Sequence, residues 1–192
     1  MDYFINNLLF FPTAIPSISY ERMCCLFNLA AFQSQVAGSQ NIENDEGLKL
    51  AAKLLQQASG IFSYMKGAVM AALQQEPTPD LNPETLAALS ALMLAEAQEI
   101  FVLKAINDQM KDAITAKLSA QCEEYYSEAL KLMQREGVRS MWDRDWLPKI
   151  TSKQSAYQAI AEYFQSRVCN AKKSVGEEIA RLQVTCSTVC FM

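Results

Sequence analysis

The stretch EIFVLKAINDQMKDAITAKLSAQ, residues 99–121, decides the fold, because one helical pattern ends within it and another begins. On a helix that turns about 100° per residue, the large side chains of Ile114 and Leu118 lie only about 40° apart. The small residues of the same helix lie about 100° or more away and are Ala113, Ala116 and Ala120. An ordinary amphipathic helix buries one stripe. This pattern predicts two apolar faces, of which the alanine face packs closely against neighbouring helices.

Helical patterns account for nearly everything after Ser19 on either side of this stretch. Asn82, Pro83 and Glu84 form a strong helix start, since asparagine caps a helix, proline fits its first position and glutamate complements its dipole. Asp108 is the expected cap of a later helix. The predicted loops are 76–84 and 138–149, and the predicted helices are about 20–36, 44–75, 83–106, 108–137, 148–170 and a sixth from about residue 174.

The fold class follows from the absence of any segment with the period of two that a strand requires. Helix pairs joined by short links, with alanines where helices could approach closely, predict an all-α fold of tetratricopeptide-like helical hairpins. No strict repeat aligns, so a generic helical bundle stays open as an alternative. The first 18 residues and the last nine share no pattern with the rest, which predicts that the chain is a piece of a larger domain with substitute ends.

The bulk composition argues against several classes of protein. Of 192 residues, 51% are hydrophobic and 20% charged, which is a globular balance, and no dense basic run suggests nucleic-acid binding. The apolar segment 3–18 is interrupted by asparagines and prolines and falls short of the roughly 20 residues of a spanning helix, so no transmembrane segment is expected. The six cysteines include no CxxC pair and no secretory signal is evident, which favours a reduced, cytoplasmic protein.

The chemistry of the chain is limited by the absence of histidine, which removes the commonest general base and any Ser-His-Asp arrangement. Glu96 and Glu99 have the i, i+3 spacing of a carboxylate metal site, but the Glu-x-x-His motif of that class is missing, and a solvated helix face is the favoured interpretation. Cys186 and Cys190 without histidine make a poor zinc site. We therefore expect no enzyme activity, no cofactor and no bound metal.

Five stretches in order carry a family resemblance. They are LFNLAAFQSQVA (26–37), NDEGLKLAAKLLQQASGIF (44–62), LMLAEAQEIFVLKA (92–105), MKDAITAKLSAQ (110–121) and VGEEIARLQ (175–183). Each is a weak signal alone, but together they resemble the Bro1 domain, most closely its animal Alix branch. The resemblance implies a curved, mostly helical body around a tetratricopeptide-like core, of which this chain is similar to the middle part. It covers 20–183 as a partial Bro1 domain and leaves atypical ends at 1–19 and 184–192.

The resemblance also implies a binding site. Bro1 domains bind the C-terminal amphipathic helix of ESCRT-III subunits of the Snf7/CHMP4 type in an exposed apolar groove rimmed by charge. The implied residues are Phe101, Ile114 and Leu118 at the apolar centre and Asp45, Lys49 and Lys53 at the rim. The rim residues are spaced i, i+4, i+8 and so share one helix face. Thr115 and Val102 stand where Alix has bulkier apolar residues, at the expected edge of the groove.

Periodicity and resemblance disagree about the face of the 110–121 helix that carries its large apolar residues. Ile114 and Leu118 align with Tyr125 and Leu132 in a single stripe, which by periodicity is most often core. The resemblance instead implies that they face a partner's helix, in the helix-in-groove mode.

The implied function is a non-catalytic adaptor in endosomal sorting and membrane scission, cytoplasmic and recruited to endosomes through its partners. Two alternatives stay open. One is a truncated structural or regulatory remnant with no stable binding surface. The other is the Bro1 region of a tyrosine-phosphatase-like or rhophilin-like relative.

Overall fold

The computed structural model of the chain describes residues 17–72 and 76–190, apart from the side chain of residue 189. Within these residues it contains seven α-helices, one 3-10 turn and no β-strand, so the all-α prediction is confirmed. The helices are α1 Ile18–Gly38, α2 Asp45–Ala72, α3 Pro83–Asn107, α4 Asp112–Met133, α5 Glu136–Arg139, α6 Trp146–Ala171 and α7 Val175–Cys190.

The long helices pack in chain order, each against the long helix before it and the one after it. Side-chain contacts show that α2 and α3 are antiparallel, because Asp45 meets Lys104 near one end and Ser59 meets Ser90 further along. The short α5 lies between α4 and α6. This succession of hairpins is the tetratricopeptide-like arrangement that the sequence predicts.

Helix α3 lies at the centre of the core, with 12 of its 25 residues buried. By length and composition it is the one described helix that could cross a membrane, but more than half of its most apolar stretch is buried within the protein, as in a core helix. The outer helix α7 has no fully buried residue among those described.

The predicted start of α3 is confirmed. The side chain of Asn82 accepts a hydrogen bond from the backbone N–H of Glu84 at 2.9 Å, and Pro83 occupies the first helical position. At α2, the side chain of Asn44 accepts from the backbone N–H of Gly47 at 2.6 Å. Both helices therefore begin where a side chain satisfies a free N–H group.

The predicted cap at Asp108 is wrong. Asp108 ends α3 instead, and α4 begins only at Asp112. The backbone N–H groups of Gln109 and Met110 bond back to Ile106 and Ala105 at 3.0 and 2.9 Å, and Gln109 has a φ of 51°. This is a Schellman ending, which is usually built on glycine. The turn therefore occupies residues 108–110, which the sequence assigns to the next helix.

The region after α4 also departs from the prediction. The fourth helix ends at Met133 and not at 137, and α6 starts at Trp146, two residues before the predicted start. The two tryptophans of the predicted loop explain the difference. Trp142 donates from Nε1 to the Met133 carbonyl oxygen at 2.9 Å and stacks on Trp146 at 5.7 Å, so burial orders this segment. The predicted end of the second helix, near 75, lies outside the described residues.

The predicted alanine face of α4 is wrong for two of its three members. Ala116 is buried, but Ala113 and Ala120 are exposed. The side that packs against other helices carries Thr115 and Ser119 instead, both buried. Small polar residues therefore provide the close approach that the sequence assigns to alanine.

Candidate functional site

The predicted apolar centre lies on the α3–α4 hairpin, where its three side chains reach solvent. Phe101 is 39% exposed, Ile114 is 45% exposed and Leu118 is partly buried. The side-chain amide of Gln98 donates to the Leu118 carbonyl oxygen at 3.1 Å, which fixes the register of the two antiparallel helices. Phe101, three residues after Gln98, therefore lies level with the turn between Ile114 and Leu118. We call these three residues the α3–α4 patch.

The position of Phe101 around its helix follows from the contacts of α3. Ser90 bonds to Ser59 of α2, and Gln98 bonds to α4. At about 100° per residue, Gln98 points about 80° from Ser90, and Phe101 points about 20° from Ser90 in the same direction of rotation. Phe101 therefore lies in the open sector between the two neighbouring helices.

The predicted rim opens to the same side. On α2, Lys49 and Lys53 point about 80° and 120° from Ser59, between the contact with α3 and the contact with α1 at Gln57, about 160° away. Two reversals separate α2 from α3. The chain runs in the opposite direction along the helix axis, and the preceding and following helices occur in the opposite order around it. The two reversals cancel, so the open sectors of α2 and α3 face the same side of the array. We call this side the front face.

Ile114 belongs to the front face by the same argument. Glu123 of α4 accepts a hydrogen bond from Gln154 of α6, and Leu118 accepts one from Gln98 of α3. Leu118 and Glu123 point about 140° apart, and the arc between them carries the buried Thr115 and Ser119. Ile114 points about 40° from Leu118 on the other side, in the wider and exposed arc. The structure thus brings the α3–α4 patch and the basic residues of α2 together on one surface.

Lys104, one turn after Phe101, joins the α3–α4 patch to the rim. Its ammonium nitrogen lies 2.5 Å from the Asp45 carboxylate and 2.7 Å from that of Asp108, and Lys49 lies 3.2 Å from Asp45. The hydrogen bond from Lys104, followed by that from Lys49, lowers the pKa of Asp45. The ion pair between Asp45 and Lys104 therefore stabilises the contact of α2 with α3 fully at pH values above the ordinary pKa of an aspartate. This stabilisation is lost as the pH falls through the lowered pKa of Asp45.

Lys53 completes the predicted rim in a different way. It is exposed, and it has no ion-pair partner among the described residues. An acidic group of a partner can therefore approach it without first displacing an internal carboxylate.

Sequence reasoning missed Leu94 and Lys104. Leu94 is 37% exposed and lies seven residues before Phe101, a spacing that returns to the same helix face. Lys104 follows Phe101 by three residues, the other spacing that keeps two side chains adjacent. The expected groove edge at Val102 and Thr115 is wrong, because both are buried.

A polar network holds the hairpin in place behind the patch. The carboxylate of Glu99 accepts hydrogen bonds from the hydroxyl of Tyr126 and, at 2.9 Å, from the ammonium of Lys153. The Tyr126 ring stacks on Tyr157 at 5.9 Å. Burial, and then the nearby Glu99 charge, raises the pKa of both tyrosines, which therefore stay neutral.

The interpretation of Glu96 and Glu99 as a solvated helix face is wrong. Glu96 is only 5% exposed, and the side chain of Glu99 is 15% exposed. Their helix turn faces the interior, where Glu99 joins α3 to α4 and α6. In the described part of the chain, no group of three or more histidine, cysteine, aspartate or glutamate side chains is placed to hold a metal ion.

A family model described as BRO1-like domain matches residues 11–189 of the chain. The chain therefore belongs to the BRO1-like domain family, which confirms the family indicated by the five stretches. The match extends beyond the predicted body, 20–183, at both ends. The division into a body and atypical ends stays a prediction.

The chain is similar to two curated relatives. Apoptosis-linked gene 2-interacting protein X 1 of Caenorhabditis elegans is 45% identical over 184 residues, which cover 94% of this chain and 21% of the relative. Programmed cell death 6-interacting protein of Mus musculus is 49% identical over 170 residues, which cover 88% of this chain and 19% of the relative. The chain thus spans about a fifth of the length of these relatives.

Among solved structures, the chain is similar to one described as an ALIX BRO1 CHMP4C complex. The TM-score is 0.89 at 45% sequence identity, and the match covers 98% of this chain and 53% of that one. The likeness therefore extends through the α3–α4 hairpin and the helices on both sides of it.

Proposed function

We propose that this chain is a non-catalytic adaptor module whose front face binds the C-terminal amphipathic helix of an ESCRT-III subunit of the Snf7/CHMP4 type. The observation that carries the proposal is the exposure of Phe101 and Ile114, side by side on the α3–α4 hairpin. Large apolar side chains left open beside charged groups suit the apolar stripe of a partner helix. The similarity to a BRO1 domain in complex with CHMP4C supports this choice of partner.

The arrangement of charge supports a helix that carries acidic groups beside its apolar stripe. Lys49 and Lys53 stand on α2 at the border of the patch, while Asp45 is occupied by Lys104 and Lys49. Exposed cations at the rim accelerate association and fix the orientation of a partner more than they add affinity. In the cell, we propose that the module works in endosomal sorting and membrane scission, as a cytoplasmic protein recruited to endosomes through its partners.

A binding titration with a synthetic CHMP4C-type C-terminal helix tests the proposal. We expect Ile114→Asp to weaken binding by about 30-fold or more, since a central contact typically contributes 2 kcal/mol or more. The helical content should stay native, because Ile114 is 45% exposed and a carboxylate there reaches solvent.

Ile179→Asp on α7 is the matched control, because Ile179 is 51% exposed and lies far along the array from the patch. It should bind like the unmodified chain. Equal affinity of the Ile114 variant and the unmodified chain would refute the site. Collapse of helicity in the Ile114 variant would place that side chain in the core.

A further inference from the structure

A concavity opens on the front face, between α1 and α2. It has a volume of about 400 Å³ and is lined by Leu26, Gln33, Gln57, Gly60, Ile61 and Tyr64. A Cβ added at Gly60 would meet nothing within 4 Å, so the space beside this lining residue is free to take a larger side chain. We call it the α1–α2 groove. Its apolar walls and open mouth suit one large apolar side chain.

A hydrogen bond between two glutamines joins the walls of the groove. The amide nitrogen of Gln33 donates to Gln57 at 3.2 Å, which joins α1 to α2 across the groove. The amide oxygen of Gln33 is buried and accepts no hydrogen bond from the described residues.

The groove lies between two cations. Arg22, one turn before Leu26, donates to the hydroxyl of Tyr64 at 3.4 Å at one end. Lys53, one turn before Gln57, stands at the other end. The occupant that this charge selects is an acidic segment.

A row of residues on α2 connects the groove to the charged rim. Asp45, Lys49, Lys53 and Gln57 follow one another at intervals of four, so they lie along one side of the helix. The exposed Leu94 lies on the neighbouring α3, between the level of the patch and that of the groove. A single partner chain can therefore contact both sites along one continuous path.

The distance between the two sites sets the length of that path. The contact of Asp45 with Lys104 places Phe101 level with Leu48, and Gly60 lies 12 residues further along α2, about 18 Å at 1.5 Å per residue. With helices spaced about 9 Å apart, the sites are about 20–25 Å apart. A partner needs about 7 extended residues or about 15 helical ones to connect them.

We propose that the α1–α2 groove is a second docking site for the same partner, which takes one large apolar side chain from an acidic segment just upstream of the helix on the α3–α4 patch. The inference rests on the proposed function, since it needs that helix in place. The upstream side is the one available, because the helix is C-terminal in its own chain.

Two synthetic peptides test the proposal on the full 192-residue chain. The short peptide is the CHMP4C-type C-terminal helix, and the long peptide carries about 15 additional upstream residues, the helical length that spans the two sites. We expect the long peptide to bind at least about tenfold more tightly, because the second contact is intramolecular once the first has formed. Gly60→Trp should fill the groove and remove this gain without changing the affinity of the short peptide.

Gly67→Trp is the matched control, because Gly67 lies on the same helix, outside the groove, and a Cβ there also meets nothing within 4 Å. It should keep the tenfold gain. Gln57→Glu adds a negative charge to the groove without adding bulk. Because the proposed occupant is acidic, this variant should also lower the affinity of the long peptide alone. Equal affinity of the two peptides for the unmodified chain would refute the groove as a docking site. An equal loss of the long peptide's affinity in the two tryptophan variants would refute it as well.

The failure of the proposed function gives a different result. In that case the short peptide fails to bind the unmodified chain, or binds the Ile114→Asp variant equally well. The groove proposal is then refuted together with the α3–α4 patch, because it requires the partner helix on that patch. If the short peptide depends on Ile114 while the long one gains nothing, the patch stands and the groove alone is refuted.

Discussion

At the scale of single residues, the hydroxyl of Tyr126 shows how the interior supports the surface site. It donates to Glu99, which also accepts from Lys153, so one carboxylate on α3 is bonded to α4 and to α6. Tyr126 itself is fully buried. The hairpin that carries Phe101 and Ile114 is therefore held from behind by charge-assisted hydrogen bonds.

We predict that Tyr126→Phe lowers the free energy of unfolding by about 1–3 kcal/mol, because the carboxylate of Glu99 loses a donor in a poorly solvated place. Tyr125→Phe is the matched control on the adjacent, partly buried tyrosine, and it should change this free energy by less than about 0.5 kcal/mol. Urea denaturation of the two variants measures the difference. Equal losses would mean that the hydroxyl of Tyr126 contributes nothing particular to stability.

The same residues show what the sequence could predict of the site. The resemblance named Phe101, Ile114 and Leu118, but periodicity could not, because Ile114 and Leu118 share a stripe with Tyr125 and Leu132. Lys104 was missed because its partner Asp45 lies 59 residues away in the chain. The burial of Glu99 was missed for the same reason, since its partners come from two other helices.

At the scale of elements, the two tight connections on either side of the α4–α6 unit end in the same way. Gln109 after α3 and Lys173 after α6 both adopt positive φ, 51° and 60°. In each case the next N–H group bonds back to the carbonyl five residues earlier, at 2.9 Å for Met110 and 3.0 Å for Ser174. Sequence rules look for glycine at such positions, and neither has it. The helix ends were therefore predicted less well than the helices.

We predict that Gln109→Gly raises the free energy of unfolding by about 0.5–1 kcal/mol, since glycine adopts positive φ without the steric cost that a side chain imposes. Gln134→Gly is the control with the opposite sign. Gln134 caps α4 at a φ of −82°, where glycine only adds freedom to the unfolded chain and should destabilise. Chemical denaturation of the two variants measures both. Changes of the same sign would contradict the assignment of strain to Gln109.

At the scale of the whole molecule, the array has two unequal kinds of helix. The inner helices have neighbours on both sides, whereas α1 and α7 each pack against one long helix. Large apolar residues stay exposed on both, including Phe32 on α1 and Ile179 on α7. Helical periodicity predicts the hairpins because it is local. It cannot predict which apolar stripe is covered, because that depends on the order and direction of the neighbours.

We predict that hydrogen exchange is slowest in α3 and fastest in α7, within one cooperative thermal transition. Opening α3 exposes 12 buried residues and breaks contacts with two helices, while α7 itself carries no buried residue among those described and packs against α6 alone of the long helices. Local openings span free energies from about zero to that of global unfolding, and these two helices should lie near the two limits. Hydrogen exchange followed by mass spectrometry, with a circular dichroism melt, measures both.

Two isoleucines provide matched variants for this gradient. Ile100 on α3 is 1% exposed, so Ile100→Ala should lower the stability of the whole array by about 2–5 kcal/mol through the cavity that it leaves. Ile179 on α7 is 51% exposed, so Ile179→Ala should affect exchange in α7 alone. A broad melt, with equal exchange in α3 and α7, would instead support the remnant without a stable binding surface. A folded adaptor needs the inner helices to unfold as one unit, because the front face is built jointly by α2, α3 and α4.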